Sequence, residues 1–187
     1  MAKKIPYGLT DYFRIVTEDF YYVDKTEYIE DLEKTAAFLF LIRPRRFGKS
    51  LFLNMLNCYY DVKYAARFEE LFGNQYIGKH PTAEQGKYLV LRFNFSMVRA
   101  TDDKLEAAFN RHISLETAYF ASVYASYFKP DFQEQLKLIP EAAGRLEYIC
   151  LCAKEQGLSI YLLIDEYDNF TNTILSSKGN DVYHSLT

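Results

Sequence analysis

The chain has 187 residues, 49% of them hydrophobic, with a formal net charge of −3. That length favours one domain of ordinary size, and the apolar fraction supplies a sizeable core and excludes wholesale disorder. The slightly acidic balance excludes a global basic field of the kind that draws nucleic acid, so any such role would need a local patch or a separate domain.

At the amino end, MAKKIPYGLT places two lysines with no apolar run behind them, which is not a secretory signal. Asp24 as N-cap, with Glu27 three residues on as its capping partner, predicts a first helix running to about Lys34. Residues 37–42 (AFLFLI) form a continuous apolar run, too short to span a bilayer and read as a strand buried on both faces. A loop over 43–48 follows, then a second helix over 49–60 with Leu51, Phe52, Met55, Leu56 and Tyr59 apolar. Residues 88–95 (YLVLRFNF) read as another strand. Leu105, Phe109 and Ile113, then Phe120, Val123, Tyr124 and Tyr127, predict a long amphipathic helix ending before Pro130. Leu146, Ile149, Cys150 and Ala153 give a further helix, started near Pro140 and stopped at Gly157. Residues 159–164 (SIYLLI) are the last clear strand. Alternating strands and helices predict an α/β fold with a mainly parallel sheet covered on both sides. Cys58, Cys150 and Cys152 make neither a disulfide framework nor a metal set, so reduced, mostly buried thiols in a cytoplasmic protein are expected.

The stretch LIRPRRFGKSL, residues 41–51, ends as a phosphate-binding loop does. The pattern is G-x-x-x-x-G-K-[ST]; Gly48, Lys49 and Ser50 fit it, while Arg43 stands where the first glycine belongs. A strand leading in and a helix leading out would aim backbone N–H groups and the positive helix end at an anion. Gly48 would allow close approach of the main chain, Lys49 would bring a mobile charge to the β- and γ-phosphates, and Ser50 a hydroxyl for Mg²⁺. Arg43, Arg45 and Arg46 add three guanidinium groups in four residues. They either pair with phosphate oxygens or stay solvated or paired with acidic residues elsewhere. The candidate nucleotide-binding set is therefore Arg45, Arg46, Phe47, Gly48, Lys49, Ser50 and Leu51.

The second motif is YLLIDEYDN, residues 161–169. The strand delivers Asp165 and Glu166 to its carboxyl end, where open parallel sheets bind ligands. Asp165 is the candidate Mg²⁺ ligand with Ser50, and Glu166, with Lys49, the candidate catalytic pair, Glu166 orienting or deprotonating water. The bland alternative is a solvent-facing acidic pair that merely ends a strand. Asp168 is read as a helix N-cap rather than a holder of the metal's water shell. His80, His112 and His184 lack ligand spacing.

In order along the chain, IPYGLTDYFRI, YYVDKTEYI, RPRRFGKSL and LLIDEYDN resemble the signature blocks of the predicted AAA-ATPase-like family, whose members are often followed by a PD-(D/E)XK nuclease-like domain. The resemblance covers most of the chain and includes the arginine-bearing loop. It implies a P-loop NTPase-like three-layer sandwich forming one domain over 1–187, with 1–35 as a lead-in. It also implies that a sensor strand should lie between the loop strand and the acidic strand. Only 21 residues follow Glu166, so the sheet is expected to be incomplete on its carboxyl side, with the nuclease-like domain absent. The implied ligands are ATP and Mg²⁺, ATP being favoured over GTP by the resemblance and mildly by the lack of an N-K-x-D block. Implied partners are a protein or the missing carboxyl-terminal portion, with nucleic acid reached only indirectly and no membrane. For Asp24, Lys25 and Thr26 the resemblance suggests a place near the base or the loop, against the capping-box reading. Two functional classes stay open: an ATPase, or a nucleotide-gated switch or interaction module with negligible turnover. A nuclease built on Glu84 and Lys87 lacks an acidic constellation.

Overall fold

In a computed structural model, residues 3–35, 37–42, 44, 46–98 and 105–168 are described. They fall into two compact units, Met1–Tyr88 and Leu89–Thr187.

The first unit is helical and built on aromatic packing. Helix α1 (Tyr12–Thr17) starts at Asp11, whose carboxylate accepts the Arg14 amide at 3.2 Å. Helix α2 (Tyr28–Glu33) and helix α3 (Lys49–Tyr60) follow, and the bounds of α3 are those its apolar spacing predicts. A 3₁₀ turn over Val62–Arg67, helix α4 (Phe68–Phe72) and the short α5 (Tyr76–Lys79) complete the unit. The core is the place where α1, α3 and α4 meet. The ring of Tyr12 stacks on Phe72 at 5.2 Å, and Tyr59 meets Phe72 edge-on at 5.4 Å. Burying a tyrosine requires a partner for its hydroxyl; Tyr12 donates to the Leu71 carbonyl at 3.0 Å.

The second unit carries the sheet. Strands β1 (Tyr88–Asn94) and β2 (Ser159–Asp165) lie side by side and parallel. Between them in sequence come α6 (Leu105–Val123), α7 (Phe132–Leu138) and α8 (Ala142–Glu155). The α/β class holds in this coarse form. Leu89, Val90 and Leu91 are all buried, so β1 is covered on both faces, as its unbroken apolar run predicts. On β2 only Leu163 and Asp165 are buried, while Leu162 and Ile164 are exposed, which is the alternation of a strand covered on one face. Phe128 and Phe132 stack at 3.9 Å, and Phe132 stacks again on Tyr148 of α8 at 5.6 Å. Arg145, buried, donates through Nε to the Ile139 carbonyl at 2.7 Å and through Nη2 to that of Lys137 at 3.5 Å. It thereby satisfies carbonyls that the end of α7 leaves open.

Four expectations are corrected. Residues 37–42 form neither strand nor bridge, and Phe38, Phe40 and Ile42 are 89%, 77% and 82% exposed. A short apolar run becomes a strand only when a neighbouring strand accepts its backbone. The two strands among the described residues pair with each other in the second unit. Helix α2 begins at Tyr28, and its N-cap position, Glu27, makes no side-chain cap; Asp24 is engaged elsewhere. The long helix predicted to Tyr127 ends at Val123, and a 3₁₀ turn over Ala125–Tyr127 takes up the remainder. Of the thiols, Cys58 is buried but Cys150 is exposed and Cys152 half-buried, so the C-x-C pair departs from the burial expected. Arg43, Arg45, Asn169 and His184 lie outside the described residues.

Candidate functional site

The loop entering α3 has an unusual backbone. Arg46 has φ +68° and Gly48 φ +79°, two left-handed residues separated by Phe47. Glycine adopts that conformation without the clash between Cβ and the following carbonyl that side chains suffer, which is why Gly48 suits the turn. A Cβ placed there would meet nothing within 4 Å, so the demand comes from the dihedral and not from crowding. Helix α3 starts immediately after, with no side-chain cap. Its first internal bond runs from the Phe52 amide to the Gly48 carbonyl at 2.9 Å. The amides of Lys49, Ser50 and Leu51 are those a helix leaves without an internal partner. With the macrodipole they give the start of this twelve-residue helix a partial positive charge.

Around that end, Arg46, Phe47 and Gly48 are exposed, and Lys49, Ser50 and Leu51 are half-buried. Among the described residues Lys49 has no ion-pair partner, so its charge remains available. The Ser50 carbonyl accepts from Asn54 Nδ2 at 2.8 Å, which ties the first turn of α3 to the next. These six predicted site residues, Arg46 to Leu51, are thus contiguous at one helix start.

The capping-box reading of Asp24 missed a second part of the same unit. Asp24 closes a tight turn: Oδ1 accepts the Thr26 amide at 2.8 Å and the Thr26 hydroxyl at 2.7 Å. Its Oδ2 accepts the Tyr76 amide at 2.7 Å, and Thr26 Oγ1 accepts the Ile77 amide at 3.1 Å. Thr26 is fully buried, and the pair pins the turn to the start of α5. The residue between them, Lys25, lines a cleft of about 180 Å³ together with Phe47 and Gly48 of the loop. Asp-x-Thr is a local turn signal, because an aspartate side chain can accept the backbone amide two residues on, as Asp24 does from Thr26. Read so, instead of as a capping box, it would have located this turn.

The acidic pair belongs to the second unit. Asp165 ends β2 with its side chain on the covered face, 7% exposed, and its Oδ1 accepts the Glu166 amide at 3.0 Å. Glu166 has φ +57°, a conformation that non-glycine residues rarely hold, so the chain turns sharply where the strand ends. Tyr167 and Asp168 are already helical, so Asp168 is not the N-cap expected of it; its Oδ1 is buried with no hydrogen-bond partner among the described residues. Among the described residues no three or more His, Cys, Asp or Glu side chains are grouped to hold a metal by themselves. No helix there is long and apolar enough to cross a membrane.

No solved structure matches the chain. A stretch of 55 residues is 49% identical to an uncharacterized protein in the vnfD 5' region of Azotobacter chroococcum mcd 1; the match spans 29% of this chain and 11% of that protein's length. The family described as predicted AAA-ATPase matches residues 6–187, from the amino-terminal IPYG block through the loop to the acidic strand and beyond. By that match, the chain belongs to the AAA-ATPase-like family.

Proposed function

We propose that the chain is the ATP-binding P-loop module of an AAA-like ATPase, with ATP hydrolysed in the presence of Mg²⁺. The observation that carries this reading is the loop itself: left-handed Gly48 opening directly into α3, whose N-cap makes no side-chain hydrogen bond, with half-buried Lys49, free of ion pairs among the described residues, at the helix start. Membership of a family described as predicted ATPases supports it. In this reading the amides of Lys49, Ser50 and Leu51 and the Lys49 ammonium hold the phosphates, with Arg45 and Arg46 as further phosphate partners. Ser50 Oγ of the first unit and Asp165 of the second are each proposed as a Mg²⁺ ligand, and the parent fold is the P-loop sandwich.

Asp165 by itself suits that ion. Asp165 offers a single carboxylate with one oxygen occupied by an amide, and Mg²⁺ is commonly held by one or two carboxylates together with substrate phosphates. Bound there, Mg²⁺ would neutralise charge developing on the phosphoryl oxygens. Glu166, next along the chain, is the group assigned to orient or deprotonate the attacking water.

A thermal melt with and without Mg²⁺–ATP tests the reading. A ligand that binds only the folded state adds about 2.7 kcal/mol at a hundredfold excess over Kd. The parent chain should melt higher with nucleotide, and Lys49→Ala should abolish the shift. Glu166→Gln should keep the shift but release no phosphate. Turnover by Glu166→Gln at the parent rate would remove Glu166 from its role. A well-folded parent that shows no shift would overturn the proposal. Binding without phosphate release by the parent would select the nucleotide-gated switch instead.

A further inference from the structure

Resting on that reading, we infer that the cleft between α2 and the loop receives the base and ribose of the nucleotide, with Lys25 as the cation that meets the phosphate nearest the ribose. Four observations carry it. The cleft is continuous with the candidate phosphate site, because Phe47 and Gly48 line its wall and Gly48 immediately precedes the α3 amides. Its lining is mostly apolar, with Leu32, Leu41 and Phe52, and aromatic at Tyr28 and Phe47, with Asp31 and Thr35 as polar members beside Lys25. A planar heteroaromatic ring fits such a surface, since stacking and edge contacts with aromatic side chains add to the area buried.

The size of the cleft is the third observation. At about 180 Å³ it falls below the roughly 300–1,000 Å³ of pockets that enclose a whole drug-sized ligand. It therefore suits one ring system with the remainder of the ligand outside, on the loop. Charge is the fourth. Among the lining residues Lys25 is the one cationic side chain and Asp31 the one acidic; Lys25 is half-buried and has no ion-pair partner among the described residues. The hydrogen bonds of Asp24 and Thr26 to the Tyr76 and Ile77 amides hold the backbone on both sides of it. A largely apolar slot that carries one ammonium and adjoins the start of α3 matches a ligand with a flat ring at one end and phosphates at the other.

The test compares Mg²⁺–ATP with Mg²⁺–tripolyphosphate, which carries phosphates and no ring, by calorimetric titration of the full chain. The parent should bind both, ATP more tightly. Leu41→Asp puts a carboxylate into the ring slot at a half-buried, irregular position; it should weaken ATP roughly tenfold or more and leave tripolyphosphate within about twofold. Lys25→Met keeps the apolar stem and removes the charge; it should weaken ATP roughly tenfold, and Lys25→Arg should restore most of the loss. If Leu41→Asp does not fold, Leu41→Ser serves, with a smaller loss in the same direction. Parent-like ATP binding in the Leu41 and Lys25 variants, with Lys49→Ala still dead, would overturn this inference and leave the ATP reading standing. Equal weakening of both ligands by Leu41→Asp would also overturn it. A parent that binds neither ligand would overturn both.

Discussion

Tyr12 shows how much one side chain can carry. Its ring is fully buried between α1, α3 and α4, and its hydroxyl reaches the Leu71 carbonyl at 3.0 Å. Burial, followed by the nearby Tyr22, Cys58 and Asp24, pushes its phenol well above the ordinary tyrosine range, because the phenolate would be desolvated beside other negative groups. Tyr22 is raised too, by burial first and then by Asp24. The folded state therefore keeps protons that the unfolded chain gives up at about pH 10. Stability from this source is complete below that pH and is lost as pH rises towards the folded values. Tyr12→Phe should cost about 1–3 kcal/mol near neutrality, by leaving a buried carbonyl without its donor. It should also flatten the fall of the urea midpoint above about pH 10. Equilibrium unfolding of parent and variant at about pH 8 and about pH 10.5 checks both parts, and an unchanged alkaline slope would assign the titration elsewhere.

Elements repeat the lesson on a larger scale: those that bury a periodic face could be read from sequence, and those defined by a partner could not. Helix α3 and strands β1 and β2 stand within a residue of their expected ends, since apolar spacing and the Gly48 and Gly157 signals fix them locally. The loop and the acidic pair stand at the ends of two such elements, the start of α3 and the end of β2. Residues 37–42 carry an equally apolar run yet make no strand, because pairing is a tertiary property that the run does not encode. Lys25 was legible only through the resemblance, because its place depends on Asp24 and Thr26 reaching amides some fifty residues away. Helix α7 escaped notice for another reason: with seven residues it is too short for periodicity, and its end is completed by Arg145 from α8. What holds α7 is the ring column Phe128, Phe132 and Tyr148. Phe132→Ala should remove the middle ring and cost about 3–5 kcal/mol. Hydrogen exchange should show the amides of α7 opening first in this variant, while those of β1 keep their protection. Uniform loss of protection across both would mean that α7 opens only with the rest of its unit.

Across the whole molecule, the balance between charge and exposed apolar surface sets how the chain behaves with other copies of itself. A net charge of −3 on 187 residues gives weak mutual repulsion. Against it stands an exposed run in the first unit: Phe38, Phe40 and Ile42 are each more than three-quarters exposed, and Phe47 is 60% exposed a few residues on. Singly exposed apolar residues are ordinary, but a contiguous apolar segment of β-forming residues without proline is the kind that pairs with another chain. The parent should therefore bind a hydrophobic dye and sediment with a weight that rises with concentration. Replacing Phe38 by Lys and Phe40 by Glu changes no net charge, so any effect comes from apolar surface and not from added repulsion. That double variant should lose most of the dye signal and sediment as a monomer over the same range, with its melt unchanged to within about 0.5 kcal/mol, as surface substitutions usually are. Concentration-dependent sedimentation that survives the double substitution would place the self-association elsewhere on the surface, with the exposed Tyr119 and Leu115 of α6 as the next positions to change.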